Sequence, residues 1–260
     1  LHSFPTRRSS DLGKDVTLIA RGEHLKKIQK QGLTLEKMWD KTEENISIPA
    51  TDMEHYAEHP DVIFVCVKGY SLQETIPFIK RIARKNTIVI PVLNIYGTGG
   101  KMQKELPDLL VTDGCIYVSA NIKEPGKLLQ HGQILHIVFG VRDKAEFRPE
   151  LKEIQKDLCD SHIDGTLSEN IRREALEKFS YVSPIGAAGL YYHATAADFQ
   201  KEGEARELFK TMIKEIAALA EAMGVPFQKD MAEVNLKILS NLAPEATTSM
   251  QRDIMAGKQS

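Results

Sequence analysis

Two polar side chains stand directly after consecutive apolar runs of the sequence. Lys68 ends the run "DVIFVCVK" and Asn94 ends the run "NTIVIPVLN". If both runs are parallel strands, both side chains emerge at the carboxyl edge of one sheet, where open α/β sheets bind ligands. Taken alone, either residue also has a structural explanation, because lysines are costly to bury and asparagines often only form turns. The segment 94–101, which includes Gly97, then bends into a helix whose backbone N–H groups are expected to approach a ligand.

Arg21 closes the short β-rich run "DVTLIAR". In a dinucleotide-binding βαβ unit, an acidic residue at this position holds the ribose 2′-OH of NAD, whereas an arginine pairs with the 2′-phosphate of NADP. Arg21 therefore indicates NADP, and a solvated arginine at a strand end is the alternative. The G-x-G-x-x-G turn that usually accompanies such a site does not occur in the sequence.

Lys178 and Ser249 are further candidates for chemistry. Lys178 lies in "REALEKFSYVSPIGAAG", where a lysine at the mouth of an apolar pocket can protonate a developing alkoxide and attract a carboxylate. The alternative is a surface lysine on a helix. Ser249, in "ATTSMQRD", can hydrogen-bond a substrate carboxylate; the alternative is that this short polar cluster forms an N-cap or turn. No metal-binding spacing of histidines and no G-x-S-x-G elbow occurs, which argues against metal-dependent and serine hydrolysis.

The elements that must position these residues predict an α/β protein. Continuous apolar strands alternate with amphipathic helices, a pattern typical of a doubly wound, Rossmann-type parallel sheet. Residues 109–139 are expected to add antiparallel strands at "CIYVSANI", "GKLLQHGQ" and "LHIVFG", separated by turn residues. Residues 144–161 are expected to form a helix interrupted near its start by Pro149, and 162–170 a connector. After Asn170 only helical patterns remain. We predict a non-native or disordered segment (1–11), an NADP-binding Rossmann-type domain (12–165) and an all-helical substrate and dimerisation domain (166–260).

Composition narrows the class of partner. With 34 basic and 36 acidic residues among 260, the net charge of -2 gives no general attraction to nucleic acid or anionic lipid, so a small-molecule substrate is expected. Cys66, Cys115 and Cys159 are odd in number and far apart, which indicates a reducing, cytoplasmic setting. No stretch approaches the ~20 apolar residues of a membrane span.

Taken in order, several segments resemble the ketopantoate reductase family (2-dehydropantoate 2-reductase) from about Leu12 to the last residue. They are "GKDVTLIARGEHL", "VIFVCVKGYSLQETI", "VLNIYGTGGKMQKEL", "IRREALEKF" and "TTSMQRDI". The resemblance implies a Rossmann-type domain and a helical domain, with the active site in the cleft between them. It also implies hydride transfer from NADPH to the 2-keto group of ketopantoate, giving pantoate for pantothenate synthesis, in an enzyme that often forms homodimers.

The resemblance also assigns roles to residues. Lys178 is expected to be the catalytic residue, which stabilises and protonates the substrate oxygen, and it contributes to substrate binding. Ser249 is expected to help hold the substrate carboxylate. The expected cofactor contacts, with Arg21 at the 2′-phosphate, are Arg21, Lys68, Asn94, Gly97 and, more loosely, Ala120.

Three departures from the family pattern leave alternatives open. The family's first strand and glycine-rich turn are replaced by "LHSFPTRRSSD", and a family glutamate would fall just after Ser260, so truncation at both ends is expected. The full-length parent is then the expected reductase, and the fragment is expected to bind NADPH weakly and to be inactive. Val182 and Gly186 stand where the family has substrate-binding asparagines, each worth ~1 kcal/mol in hydrogen bonding. The alternatives are a reductase for a different 2-keto acid and a non-catalytic NADP-binding protein of the same fold.

Overall fold

The computed structural model describes residues 13–260, which form two compact units. The first unit runs to Leu93 and resumes over Gly97–Glu169, and the second contains Asn94–Tyr96 and Asn170–Ser260. A short segment that follows an apolar strand thus groups with the helical part of the chain. The predicted non-native or disordered segment, residues 1–11, lies outside the described residues.

Parallel pairing joins the short apolar strands of the first unit into two of its sheets. One sheet pairs β1 (Leu18–Ile19) with β4 (Ala50–Thr51), and the other contains β5 (Val62–Val65), β6 (Ile88–Pro91) and β7 (Leu110–Val111). Helices alternate with these strands, as predicted: α1 (Gly22–Gln31), α2 (Leu72–Ile82) and α3 (Thr98–Glu105).

Strand β6 explains why its sequence is apolar at every position. Ile88 and Ile90 pack into one cluster with Leu158 of a later helix, while Val89 packs on the other face with Ile79 of α2. The prediction of a strand covered on both faces is therefore confirmed for β6. In β5 the two faces are also packed, with Val62 and Phe64 on the first cluster and Ile63 and Val65 on the second. Only Val65 is fully buried, because β5 is an outer strand of its sheet in the described part of the chain.

A five-stranded mixed sheet completes the first unit. Its strands are β2 (Leu33–Lys37), β3 (Thr42–Ile46), β8 (Asp113–Glu124), β9 (Lys127–Gly140) and β10 (Asp164–Leu167). β8 and β9 are antiparallel as predicted, but β9 also pairs in parallel, with β2 over its first part and with β10 over its last. Two predictions are corrected: 127–140 is one strand rather than two, and the connector 162–170 contains β10. Helix α4 (Glu150–Asp160) begins after Pro149, where the sequence placed an interruption.

The second unit is helical throughout. Its helices are α5 (Ile171–Tyr191), α6 (Ala196–Gln200), α7 (Glu204–Ala222), α8 (Met231–Ser240) and α9 (Ser249–Met255). Its core contains Phe199, Phe209 and Leu239, each at most 1% exposed. An α/β Rossmann-type unit followed by a helical one is thus the observed architecture, which confirms the predicted fold class. None of the helices between residues 13 and 260 is both long enough and apolar enough to cross a membrane.

Candidate active site

Lys178 is buried in the helical unit and is hydrogen-bonded to a second predicted site residue. Only 8% of Lys178 is exposed, and its Nζ donates to Oδ1 of Asn94 over 2.7 Å. The surface-lysine alternative is therefore wrong. Burying an ammonium group is costly unless polar groups surround it, so the amide of Asn94 is part of what keeps this lysine inside. The structure brings together two candidates that lie 84 residues apart in the sequence.

Apolar packing fixes both partners of this hydrogen bond. Tyr96, two residues after Asn94, packs against Phe179, one residue after Lys178, with ring centroids 6.2 Å apart. Both rings pack against a small cluster of buried residues in the helical unit, formed by Leu176, Ala220 and Val225. Aromatic pairs at this separation stabilise by about 0.5–1.5 kcal/mol beyond area burial. The geometry at Lys178 Nζ therefore rests on packing as well as on the hydrogen bond.

Sequence reasoning missed a buried polar pair between Ser180, two residues after Lys178 on α5, and Asn235. Ser180 is fully buried, donates to the carbonyl of Glu177 over 2.6 Å and accepts from Nδ2 of Asn235 over 3.1 Å. Asn235 is 1% exposed and lies on α8. The signal was present, since this asparagine interrupts the apolar pattern "AEVNLKIL". The pair ties the turn that carries Lys178 to α8. Burial also raises the pKa of the nearby Glu177 carboxyl.

Ser249 is the first residue of α9 and is half-buried. The polar cluster around it does supply the N-cap, as the alternative predicted, but the capping residue is Thr248: its Oγ accepts from the backbone N–H of Gln251 over 3.2 Å. The Ser249 hydroxyl is thus not required for capping. Helix α9 contacts α5, the helix that carries Lys178.

The two family-asparagine positions lie on α5 beyond Lys178. Val182 and Gly186 follow Lys178 by four and eight residues, and at ~3.6 residues per turn these spacings leave all three near one face of the helix. Gly186 admits α9: a Cβ there would be 2.7 Å from Cε of Met250. The side chains along this part of the face are therefore apolar.

Arg21 lies just beyond β1, at the N-cap position of α1. Its side chain is 71% exposed and pairs with Glu74 over 3.4 Å, and the Glu74 side chain is itself 55% exposed. An exposed guanidinium held this loosely fits a phosphate group, which can replace the carboxylate as its partner. The structure thus leaves the Arg21 guanidinium accessible to an anionic partner.

Three other predicted cofactor contacts lie on separate elements of the first unit, whereas Asn94 belongs to the second unit. Lys68 is half-buried and precedes a 3₁₀ turn, and the carbonyl of Lys68 accepts from the N–H of Ser71 over 2.9 Å. Gly97 has φ 76° at the N-cap of α3, a conformation that favours glycine. Ala120 lies in β8 opposite Gln130, next to a register shift.

The first turn of α3 is occupied by a carboxylate of the protein itself. Asp113, only 7% exposed, accepts hydrogen bonds from the backbone N–H groups of Gly99 and Gly100, and Arg142 Nη1 lies 3.6 Å from its Oδ1. Burial raises the pKa of Asp113 against the opposing effect of Arg142 and the two N–H groups. The expectation that the N–H groups of this loop approach a ligand is therefore wrong for Gly99 and Gly100.

Among residues 13–260, no three histidine, cysteine, aspartate or glutamate side chains are grouped so that they could hold a metal ion. The groups available for chemistry are the buried ammonium of Lys178, the Asn94 amide that accepts its hydrogen bond, and the Ser249 hydroxyl on α9, which packs against α5.

Two family models match the chain: "Ketopantoate reductase PanE/ApbA" over residues 9–144, and "Ketopantoate reductase PanE/ApbA C terminal" over residues 170–260. Among curated proteins, the 2-dehydropantoate 2-reductase of Pyrococcus horikoshii is 27% identical over 255 residues, which cover 96% of this chain and 80% of that protein. The uncharacterized oxidoreductase YkpB of Bacillus subtilis is 20% identical, covering 96% of this chain and 82% of that protein.

Solved structures are similar in fold over most of the chain. A PanE/ApbA family ketopantoate reductase from Ralstonia eutropha JMP134 superposes with a TM-score of 0.84 at 20% identity, covering 97% of this chain and 81% of that one. D-mandelate dehydrogenase, solved with NADH and anilino(oxo)acetate, superposes with a TM-score of 0.83 at 19% identity, covering 97% and 82%. At these identities the superpositions establish the fold alone.

Proposed function

Because the chain belongs to the ketopantoate reductase family, we propose that it is a nicotinamide-dependent reductase of 2-keto acids. Its proposed reaction is the reduction of 2-dehydropantoate to pantoate with NADPH, a step of pantothenate biosynthesis, carried out in the cytoplasm by a homodimer. The observation that carries the proposal is the buried Lys178, whose Nζ donates to Oδ1 of Asn94 over 2.7 Å. A lysine used only for solubility has no reason to be buried and paired in this way.

In the proposed reaction Lys178 acts on the keto oxygen of the substrate. The nicotinamide supplies a hydride to the carbon of the keto group when the cofactor is bound. Lys178 stabilises the negative charge that develops on the oxygen and donates a proton to it, so that an alcohol results. Asn94 holds the ammonium in place, and Ser249 donates a hydrogen bond to the substrate carboxylate.

The preference for NADPH over NADH is proposed from Arg21. Its exposed guanidinium pairs with the 2′-phosphate, which NADH lacks. The remaining proposed cofactor contacts follow the family correspondence: Lys68, Asn94, Gly97 and Ala120. D-mandelate dehydrogenase, which has a similar fold, was solved with NADH. The preference proposed for this chain is therefore tested by measuring its KM for both NADPH and NADH.

A second substrate is favoured by the apolar face of α5. Ketopantoate carries a hydroxyl group on its side chain, and Val182 and Gly186 have no group that can hydrogen-bond it. An unsatisfied hydroxyl in an apolar site loses roughly 1–3 kcal/mol. Met250 adds a methyl group next to Gly186. A 2-keto acid with an unsubstituted branched or aromatic side chain fits this surface, and we propose it as the alternative substrate class.

Steady-state NADPH oxidation by the purified full-length protein, with ketopantoate, 3-methyl-2-oxobutanoate and phenylglyoxylate, tests both substrates. The proposed function predicts turnover that Lys178→Met abolishes without weakening the binding of NADPH. A ratio of kcat/KM that favours ketopantoate supports the first substrate, and the reverse ratio supports the apolar class.

The remaining candidate is a non-catalytic NADP-binding protein. This role would be established, and the reductase refuted, if the protein binds NADPH but turns over none of these acids. Lys178→Met should then leave NADPH binding unchanged. A matched control is Lys210→Met, because Lys210 is also helical but forms a surface ion pair with Glu207. Its removal should leave turnover unchanged.

A further inference from the structure

Gln251 is a polar side chain almost fully enclosed at the start of α9. Only 4% of it is exposed. Its Nε2 donates to the carbonyl of Ala194 over 2.7 Å, and its Oε1 accepts from the N–H and Oγ of Thr248 over 2.9 and 3.0 Å. Ala194 lies in the connection after α5, so one side-chain amide joins the first turn of α9 to that connection.

The opposite wall of this enclosure is a glycine of α5. A Cβ on Gly189 would lie 2.7–2.8 Å from Nε2, Cδ and Oε1 of Gln251. Real Cβ contacts are not this short, so any other residue at 189 would displace the amide or move the helix. Gly186, one turn earlier, admits Met250 in the same way. Because Gly186 and Gly189 have no side chains, α9 packs close to the backbone of α5 at these two positions.

Ser249 lies between the residues that these contacts fix. Thr248 precedes it and is bonded to Gln251, and Met250 follows it and packs on Gly186. The direction of the Ser249 hydroxyl is therefore set by how α9 is held on α5. Gly189 follows Lys178 by eleven residues, close to three helical turns, so α9 is held on the same face of α5 that carries the buried lysine.

We propose that Gln251 is a positioning residue of the reductase: it locks α9 onto α5 so that Ser249 is presented to the carboxylate of the 2-keto acid. The proposal rests on the proposed function, and Gln251 itself touches neither substrate nor cofactor. Loss of the lock affects the binding of the acid, because the Ser249 hydroxyl no longer keeps a single direction. It leaves Lys178 and its partner Asn94 in place.

The test compares buried Gln251 with half-buried Gln200, two glutamines whose side-chain amides hold different parts of the helical unit. Gln251→Leu keeps the volume and removes the bonds to Ala194 and Thr248. The matched control is Gln200→Leu, because Nε2 of Gln200 donates to the carbonyls of Leu239 and Leu242, both over 2.9 Å, at the end of another helix. Kinetic constants for the preferred 2-keto acid, NADPH affinity and melting temperature are measured for each.

Gln251→Leu should raise the KM for the 2-keto acid about tenfold, the effect of one lost hydrogen bond of ordinary strength, with kcat and NADPH affinity within twofold of the unaltered protein. Gln200→Leu should lower the melting temperature comparably and leave this KM unchanged. If both variants raise the KM equally, or if Gln251→Leu leaves it unchanged, the positioning role is refuted.

Gly189→Ala provides a second perturbation of the lock if Gln251→Leu does not fold. It presses on the amide from the other side and should also raise the KM for the acid, whereas an unchanged KM contradicts the proposal. Absence of turnover in the unaltered protein would refute the proposed function, and the positioning role with it. If the unaltered protein turns over and neither Gln251→Leu nor Gly189→Ala changes the KM for the acid, the positioning role alone is refuted.

Discussion

Two neighbouring glycines of α3 should respond to the same substitution in opposite directions. A Cβ on Gly99 would lie 2.0 Å from the carbonyl oxygen of Thr112 and 2.3 Å from Oδ1 of Asp113. For Gly100 the nearest atoms are 4.0 Å away, on the side chain of Arg142. Gly99→Ala therefore forces backbone apart, while Gly100→Ala meets open space.

The size of each effect follows from these contacts. Overpacking against backbone costs ~1–3 kcal/mol, and weakening the charge-assisted bonds to the Asp113 carboxylate adds ~1.5 kcal/mol or more, so Gly99→Ala should lower the free energy of unfolding by about 3 kcal/mol. At ~2–4 °C per kcal/mol for a unit of this size, the melting temperature falls by about 10 °C. Gly100→Ala should raise the free energy of unfolding by up to ~1 kcal/mol, because alanine is the better helix former.

The single tryptophan makes the measurement selective for the first unit. Trp39 lies between β2 and β3, so its fluorescence reports the unfolding of the unit that contains α3. Thermal and urea unfolding of the two variants and the unaltered protein are compared by this signal. If Gly99→Ala melts within 2 °C of the unaltered protein, on the scale of ~1 kcal/mol or less, the close approach of α3 to Thr112 and Asp113 is not as described.

Three further predictions concern the site and the acid limit of stability. Asn94→Ala removes the acceptor of Lys178 Nζ and should lower kcat/KM about tenfold to a hundredfold, since a bond to a charged group is worth ~1.5–3 kcal/mol; an unchanged value contradicts the pairing. Arg21→Ala should raise the KM for NADPH at least tenfold and leave that for NADH unchanged, the cost of a lost charge-assisted bond of about 1.5 kcal/mol; equal effects on both cofactors would argue against a 2′-phosphate contact. His24 accepts from the Gly126 N–H over 2.9 Å, and burial lowers its pKa from the ordinary 6.5. Its neutral ring stabilises fully above that ordinary pKa, and the stabilisation is lost as pH falls through the lowered value; the free energies of urea unfolding of His24→Ala and the unaltered protein should therefore differ most above pH 6.5 and approach each other as the pH is lowered.

The sequence was sufficient to predict those elements whose apolar pattern lies within a single short run of residues. The continuous apolar run of β6 predicted a strand covered on both faces, and both of its faces are buried. Strand β9 was divided in two because Gly132 and its polar neighbours resemble a turn. It is continuous because its two ends pair with different partners, β2 and β10, and such partners are not encoded in the run itself.

Candidate site residues could be proposed from the sequence where the residue type itself suggests chemistry. Residues whose role depends on packing against distant elements could not. Lys178 was identified by residue type and resemblance, but its burial depends on Asn94, which arrives from far along the chain. Gln251 was missed because a glutamine on a short helix is ordinarily exposed, and only Gly189 on another helix makes room for it. Asp113 was missed for a similar reason: its partners are N–H groups of α3, and backbone donors leave no mark in a sequence.

The pairing of β9 also has a consequence for the order of folding. This strand is bound along one edge by β2, from residues 33–37, and by β10, from residues 164–167, while β8 pairs along its other edge. Contacts with so large a separation in sequence close slowly. During synthesis the five-stranded sheet cannot be completed until Leu167 has left the ribosome, at the point where the helical unit begins to follow. We therefore expect the first unit to gain resistance to proteolysis late and in one step, when β10 joins.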